Sequence, residues 1–409
     1  RRPGPGKVAL VLGAGNVSSI PPMDFLYKLF VEDEVVMLKM NPVNADVGPH
    51  LERAFKTLID DGFLAICYGG ADVGAHLSNH PKIDTLHVTG SDKTYDAIVW
   101  GREPAEQDRR KAANEPLNTR PFTAELGCVT PVLVVPGTWT EAELNYQARQ
   151  VASMVANNAS FNCNAAKVLV VAEGWAQREV FLRKVEEQLQ KTTPRKSYYP
   201  GAQQRYQGFL DKYPKAKPLG QRTDDVVPWT LIPDVKPDPE EYALRNEAFC
   251  GVLAITSLDA SRAEDFLAKA VKFANDDCWG TLSCTVLVDP RTELALGTAL
   301  EVALSDLKYG GIGLNIFPGV IYSLCVTTWG AFPGHPPKDI RSGVGFVHNT
   351  FLLDHPQKSI VRAPFLINPT PAWFADHKNL AALGKNLTRY EGQPSWPNLF
   401  RVATAALKG

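Results

Sequence analysis

The segment NNASFNCNAAKVLVV sets one cysteine, Cys163, among small polar residues just ahead of an aliphatic run that reads as a β-strand. Asn158, Ser160, Asn162 and Asn164 supply donors on both sides of it, and the helix-to-strand turn expected there leaves backbone N–H groups free. Such donors lower a thiol pKa and hold the oxyanion that forms when a thiolate attacks a carbonyl. The cysteine reads as a buried spacer, a redox thiol or a nucleophile, and its neighbours favour the nucleophile. Glu125, in AELGCVTP, also stands just ahead of an apolar strand. A carboxylate near the thiol can activate a water to hydrolyse a thioester. Lys39 closes the run VVMLKM, at the edge of a parallel strand where α/β proteins hold ligands; a lysine there meets a ribose or a phosphate. VTGS ends a strand in Gly90 and Ser91, small donors suited to a pyrophosphate. The eight histidines are scattered, so nothing favours a cysteine–histidine protease. GAGNVSS is not GxGxxG, because residue 18 is serine, and the usual dinucleotide fingerprint is absent.

These residues need elements to carry them, and the first part of the chain alternates strand-like and helix-like segments. KVALVLG (7–13), VVMLKM (35–40), FLAICYGG and IDTLHVTGS read as strands. PPMDFLYKLFVE reads as a helix opened by Pro21 and Pro22, and 46–62 as a second helix stopped by Gly62. Residues 101–121 read as a loop or short helix. Beyond them TPVLVVPG (130–137), KVLVV, GVLAITSL (251–258) and TLSCTVLV (281–288) are strand-like, with helices over 141–158, over AQREVFLRKVEEQLQKT and over RAEDFLAKAVKFAND. Such βαβα order implies mostly parallel sheets covered by helices, an α/β protein of two units. The tail from about 365 bears Pro and Trp and has weaker periodicity.

Composition narrows the function classes. The 409 residues suffice for two or three domains, and 44% hydrophobic with 21% charged is ordinary for a globular protein. A net charge of −1 from 43 basic and 44 acidic side chains gives no reason to expect a nucleic-acid partner or an anionic membrane. Seven cysteines without a CxxC pair make neither a disulfide scaffold nor a zinc pattern. No metal and no transmembrane segment are expected, and a reducing, cytoplasmic location is the default.

Taken together, the segments resemble the aldehyde dehydrogenase superfamily from residue 7 to roughly residue 364, in the family's order. LGAGNVSSIPP lies where the family has Pro-Trp-Asn, VVMLKMNP where it has the strand ending Lys-Pro-Ser, and HPKIDTLHVTGS where it has its His-Pro…Thr-Gly-Ser segment. AELGCVTPVLVV is similar to Glu-Leu-Gly-Gly-Lys, NNASFNCNAAKVLVV to the nucleophile motif, and NEAFCGVLAI to Glu-x-Phe-Gly-Pro-Val. The resemblance implies an aldehyde-dehydrogenase-like fold with a Rossmann-like cofactor domain over 1–124 and an α/β catalytic domain over 125–350. A segment over 351–409 is expected to return to the cofactor and oligomerisation side. The family's N-terminal portion is largely missing before residue 7, which implies a divergent member or a trimmed piece. The resemblance makes Cys163 the nucleophile, Glu125 the general base and Asn16 the oxyanion-hole amide. It puts Lys39 on the cofactor ribose, Gly90 and Ser91 on its diphosphate, Glu247 on the nicotinamide ribose and Phe249 near the nicotinamide ring. The implied activity is NAD(P)-dependent oxidation of a small-molecule aldehyde to an acid, by way of a thiohemiacetal and a thioester, in a homo-oligomer.

The sequence departs from the pattern at Cys128 and Val129, which replace Gly-Lys, and at Cys250 and Gly251, which replace Gly-Pro. Pro42 stands where NAD-preferring relatives often carry an acid, so NAD and NADP are both open. Two other readings stay open: a CoA-dependent acylating member or acyl-CoA reductase, against which Glu125 argues, and a non-catalytic scaffold that kept the fold. Trp279, Tyr322, Trp329 and Phe332 are candidates to line an apolar substrate funnel.

Overall fold

The computed structural model describes residues 5–409. Five aliphatic runs near the start form the first sheet: β1 Val8–Leu12, β2 Val35–Lys39, β3 Leu64–Cys67, β4 Thr85–Thr89 and β5 Phe122–Glu125. Their order is β3-β2-β1-β4-β5, all parallel, and it reverses at β1. A doubly wound sheet opens a crevice at the carboxyl ends of its strands at such a reversal. The register brings Leu12 beside Lys39 and Val88, and Thr89 beside Glu125. One edge of the sheet therefore carries the residues following β1, Lys39, the Gly90–Ser91 turn and Glu125.

The second sheet contains β6 Thr130–Val134, β7 Ala166–Ala172, β8 Lys217–Pro218, β9 Thr230–Ile232, β10 Val252–Leu258, β11 Ser283–Leu287 and β12 Gly311–Leu314. Every residue of β6, β7 and β11 is buried, as expected of parallel strands covered on both faces. Two further strands join late in the chain. β13, Gly343–Val344, pairs antiparallel with β5, and β14, Ser359–Arg362, adds to β12 at the edge of the second sheet. The return to the first sheet is thus made at 343–344, ahead of the 351–409 segment expected to make it. That segment instead anchors on the second unit, where the Gln147 amide donates to the Phe365 carbonyl and Arg149 pairs with Asp376 at 2.9 Å.

The helices follow their start and stop chemistry. Ile20–Phe30 opens on Pro21 and Pro22 and lays Phe25, fully buried, against the first sheet. Glu141–Ala156 opens on a capping box between Thr140 and Glu143 and buries most of its surface. The segment 46–62 is not one helix. A 3-10 turn at Pro42–Val47 is followed by Gly48–Ala54 and Lys56–Asp60, broken at Phe55 (φ −110°, ψ 25°), whose ring meets Phe25 edge-on at 4.9 Å. Packing of that ring outweighs continuation of the helix. Within 101–121 the structure resolves a helix, Pro104–Ala113, stopped by left-handed Asn114. The tail folds into two helices, Leu380–Gly392 and Trp396–Ala406, that pack on each other. Among the described residues no helix is long and apolar enough to cross a membrane.

Candidate active site

The helix Glu141–Ala156 runs down to Asn157, and the chain then turns through Asn158, Ala159 and Ser160, all at left-handed φ (51°, 54° and 69°). Three such residues in a row, none of them glycine, are costly and persist only where surrounding contacts fix them. Those contacts are present. Asn158 Nδ2 donates to the Asn16 carbonyl at 3.0 Å and to the Phe161 carbonyl at 3.2 Å. Asn162 Nδ2 donates to Asn157 Oδ1 at 2.9 Å. Thr130 Oγ1 donates to the carbonyl of Cys163 at 3.2 Å. Lys167, 3% exposed, donates to the carbonyls of Asn162 and Ala165, each at 3.0 Å. The cysteine turn is therefore clamped by polar groups from the first sheet's edge, from β6 and from β7.

Cys163 Sγ lies 3.2 Å from Glu125 Oε1, to which it donates. Glu125, at the end of β5, is 4% exposed and also accepts a hydrogen bond from Trp329 Nε1 at 2.9 Å. Burial raises its carboxyl pKa to about 7; the Trp329 and Cys163 hydrogen bonds oppose the rise, and Asp24 and Glu247 add to it. Burial, with the adjoining Glu125 carboxylate, holds the Cys163 thiol well above its usual pKa. In this state the pair is a thiol beside a carboxylate placed to take its proton. Asn16, just after β1, donates through Nδ2 to the Phe161 carbonyl at 2.9 Å and lines the same cavity as Cys163 and Glu125. Its second amide proton is not used by that bond. That cavity, about 150 Å³, is completed by Asp24, Thr89 and Tyr322, among others.

The five remaining candidates lie outside the cavity lining, in two groups. Lys39 is 7% exposed at the end of β2; burial lowers its amine pKa, while Cys67 and Asp72 raise it. Gly90 and Ser91 follow β4, and Ser91 Oγ caps the helix Asp92–Val99 by accepting from the Thr94 N–H. These three share the sheet edge with the β1 turn. Glu247 and Phe249 sit on the far side of the cysteine turn. Glu247 pairs with Lys167 at 3.3 Å, and burial raises its carboxyl pKa against the pull of Lys167. A Cβ on Gly127 would come 1.9 Å from Glu247 Oε2, so the glycine of AELG is what lets that carboxylate reach the connection between β5 and β6. Phe249 packs its ring on Phe161 at 5.7 Å and Tyr199 at 5.1 Å.

Of the four aromatic residues read as a funnel, Tyr322 alone lines the cavity. Trp329 is fully buried and serves as a hydrogen-bond donor to Glu125, and Phe332 stacks under Lys358 at 5.2 Å. An indole fills apolar volume and carries one N–H that needs a partner when buried; that need, more than its bulk, decides where Trp329 sits. Sequence reasoning missed three residues: Trp329 as a partner of Glu125, Lys167 as the clamp of the turn, and Asp24 as a second carboxylate at the cavity. Only Lys167 left a local signal, a lysine inside the aliphatic run that follows the cysteine.

Residues 34–205 match the aldehyde dehydrogenase family. A Staphylococcus haemolyticus protein assigned as an aldehyde dehydrogenase is 22% identical, over 68% of this chain and 57% of its own length. The NADP-dependent glyceraldehyde-3-phosphate dehydrogenase of Bacillus halodurans, solved with NADP, superposes with a TM-score of 0.65 at 19% identity, over 85% of this chain and 67% of that one. The aldehyde dehydrogenase of Mycobacterium tuberculosis, solved with NAD+, gives 0.63 at 19% identity, over 84% and 66%.

Residues 34–205 are thus similar to the aldehyde dehydrogenase family, and the chain has the fold of solved aldehyde dehydrogenases.

The fold is that of the solved aldehyde dehydrogenases, with a Rossmann-like sheet beside a second, mostly parallel sheet. The aldehyde dehydrogenase resemblance read from the motifs is met in the fold and, over residues 34–205, in the family match. The chain spans only 57% of the length of the curated relative it matches.

Proposed function

We propose that this chain carries the site for NAD(P)-dependent oxidation of an aldehyde to a carboxylic acid, with Cys163 as nucleophile, Glu125 as base and Asn16 as oxyanion donor. One observation carries the reading: Cys163 Sγ sits 3.2 Å from Glu125 Oε1 in a cavity that Asn16 also lines. The relatives solved with NADP and with NAD+ support either cofactor.

The residues at the sheet edge fit a dinucleotide. The strand order reverses at β1, the Gly90–Ser91 turn opens a helix N-terminus, and a Cβ on Gly90 would find no atom closer than 3.4 Å. Lys39 would hold a ribose, Gly90 and Ser91 the diphosphate, and Glu247 and Phe249 the nicotinamide end, which makes the first sheet the cofactor unit. The bound nicotinamide supplies one thing, acceptance of a hydride from the substrate carbon.

The chain's own groups do the rest. Glu125 takes the Cys163 proton, the sulfur bonds to the aldehyde carbon, and the carbonyl π pair moves onto oxygen. The free Asn16 Nδ2 proton and the backbone N–H of Cys163 hold that oxyanion. Loss of hydride leaves a thioester on Cys163. Glu125 releases the thiol's proton to solvent, and the regenerated carboxylate takes a proton from water; the hydroxyl adds to the acyl carbon, and the C–S bond breaks to return the thiolate and release the acid. A base at this position favours water over CoA as the acyl acceptor.

The test is a panel of aldehydes with NAD and with NADP, on wild type and Cys163→Ala, with and without CoA. Reduced cofactor should form without CoA in the wild type and not in the variant. Turnover that survives Cys163→Ala would remove the assigned nucleophile, and a strict requirement for CoA would replace hydrolysis with acyl transfer.

A further inference from the structure

The cavity that holds Cys163 has a second carboxylate, and nothing in the oxidation mechanism uses it. Asp24, on the helix Ile20–Phe30, is 1% exposed and lines the cavity. Its Oδ2 accepts a hydrogen bond from Thr89 Oγ1 at 2.9 Å and lies 3.5 Å from His87 Nε2, whose Nδ1 lies 2.9 Å from Thr123 Oγ1. Its Oδ1 has no partner among the described residues. A buried carboxylate oxygen without a donor is expensive, and such groups persist where function needs them.

Two neighbours repeat the pattern. Among the described residues the Tyr322 hydroxyl, at the cavity, is buried without a partner, and so are both ring nitrogens of His348, which stacks on Tyr322 at 4.7 Å. Burial takes the His348 pKa down to about 4, so the ring is neutral near pH 7 and lends no positive charge. Among the described residues no lysine or arginine lines the cavity; its carboxyl groups are Asp24 and Glu125, and the rest of its polar lining is asparagine, threonine, tyrosine and Cys163. Thr89, which bonds Asp24, is the register partner of Glu125 and links the two carboxyl groups across the sheet edge. Both carboxyl groups are thus without a lysine or arginine beside them in the lining, and the carboxyl oxygen buried without a partner among the described residues is Asp24 Oδ1.

We propose that Asp24 is the specificity residue of this site, and that the substrates are short aldehydes carrying a protonated amine, which Asp24 Oδ1 receives while the carbonyl reaches Cys163. The inference rests on the aldehyde-oxidising reading of the same cavity. A cavity of about 150 Å³ holds a molecule the size of benzene, so the amine and carbonyl are only a few carbons apart. A cation supplies the donor that Oδ1 lacks and offsets the paired carboxylates. An uncharged alkyl aldehyde of the same size leaves that oxygen buried and bare.

The test compares 3-aminopropanal with butanal, which have equal numbers of non-hydrogen atoms, and reads the ratio of their kcat/KM values in wild type and Asp24→Asn. The ratio should favour the amino aldehyde by about tenfold or more in the wild type and fall by about tenfold in the variant. A second measurement needs no turnover. Propylammonium should slow alkylation of Cys163 by iodoacetamide at concentrations where 1-propanol does not, and Asp24→Asn should abolish the difference. If neither aldehyde is oxidised but the Asp24-dependent protection is seen, the oxidation reading falls and the cation site stands. If butanal is oxidised as well as 3-aminopropanal, or the preference survives Asp24→Asn, the proposal is overturned while aldehyde oxidation stands. Should the variant fail to fold, the wild-type ratio and the wild-type protection decide by themselves.

Discussion

Lys167 and Glu247 form an ion pair of 3.3 Å behind the cysteine turn, with the lysine side chain 2% and the glutamate side chain 18% exposed. The lysine also holds two carbonyls of the turn, so one ammonium joins the Cys163 loop to the segment that carries Glu247. Removing a partner from a buried pair leaves the other charge uncompensated, which costs far more than the pair itself is worth. Lys167→Met is therefore expected to lose on the order of 3 kcal/mol of stability, read as a drop in denaturant midpoint. Glu247→Gln on top of it should recover much of that loss. If the double variant is no more stable than Lys167→Met, the loss comes from the carbonyl bonds and the pair is incidental.

Glu125 sets the pH dependence of the proposed reaction. Its carboxyl pKa is about 7, and only the ionised form can take a proton from Cys163 or from water. kcat/KM should thus rise with pH through about 7 and level off above it. The Trp329 indole N–H stabilises the ionised form, so Trp329→Phe should move that rise to higher pH, by up to about one unit. A Trp329→Phe profile that shifts down or stays in place would show that the indole does not tune the base.

The same carboxylate makes a stability prediction with a definite sign. Its native pKa lies above its unfolded value, near 4.3, so between those values the native state binds more protons than the unfolded chain. Stability falls as pH rises across that window, and the loss is complete above about 7. Glu125→Gln keeps an acceptor for Trp329 and removes the buried charge. It should raise the melting temperature at pH 8, with a gain on the order of 1–3 kcal/mol, and have little effect at pH 4. Equal effects at both pH values would mean that Glu125 is not the titrating group.

Much of this was legible in the sequence because it is carried by local patterns. Aliphatic runs bounded by glycine gave the strands of both sheets, and VTGS, AELG and the cysteine segment marked their functional ends. Three kinds of feature were not local. The break at Phe55 depends on a partner 30 positions away, Phe25, which periodicity within 46–62 does not see. Trp329 reaches Glu125 across 204 positions, and Asp24 meets Thr89 across 65, so neither polar contact leaves a spacing to read. The tail helices escaped because their apolar residues do not form a core stripe. Trp396 is 74% and Phe400 68% exposed, and the first of the two helices buries nothing.

Asn16 has two jobs that mutation can separate. Its side chain faces the cavity as the proposed oxyanion donor and also holds the Phe161 carbonyl, while its own backbone carbonyl receives Asn158 Nδ2 at 3.0 Å and the Tyr198 hydroxyl at 2.7 Å. Asn16→Ala deletes the donor and should lower kcat by about 100- to 1,000-fold, as loss of a preorganised oxyanion donor does elsewhere. Tyr198→Phe removes only a tether on the same turn and leaves the amide in place. It should cost less than about tenfold, the worth of one hydrogen bond. Alkylation of Cys163 by iodoacetamide, which generates no oxyanion, should proceed at similar rates in both variants. If the two variants lose kcat equally, or if Asn16→Ala slows alkylation as much as it slows turnover, Asn16 acts by holding the turn and the oxyanion is stabilised elsewhere.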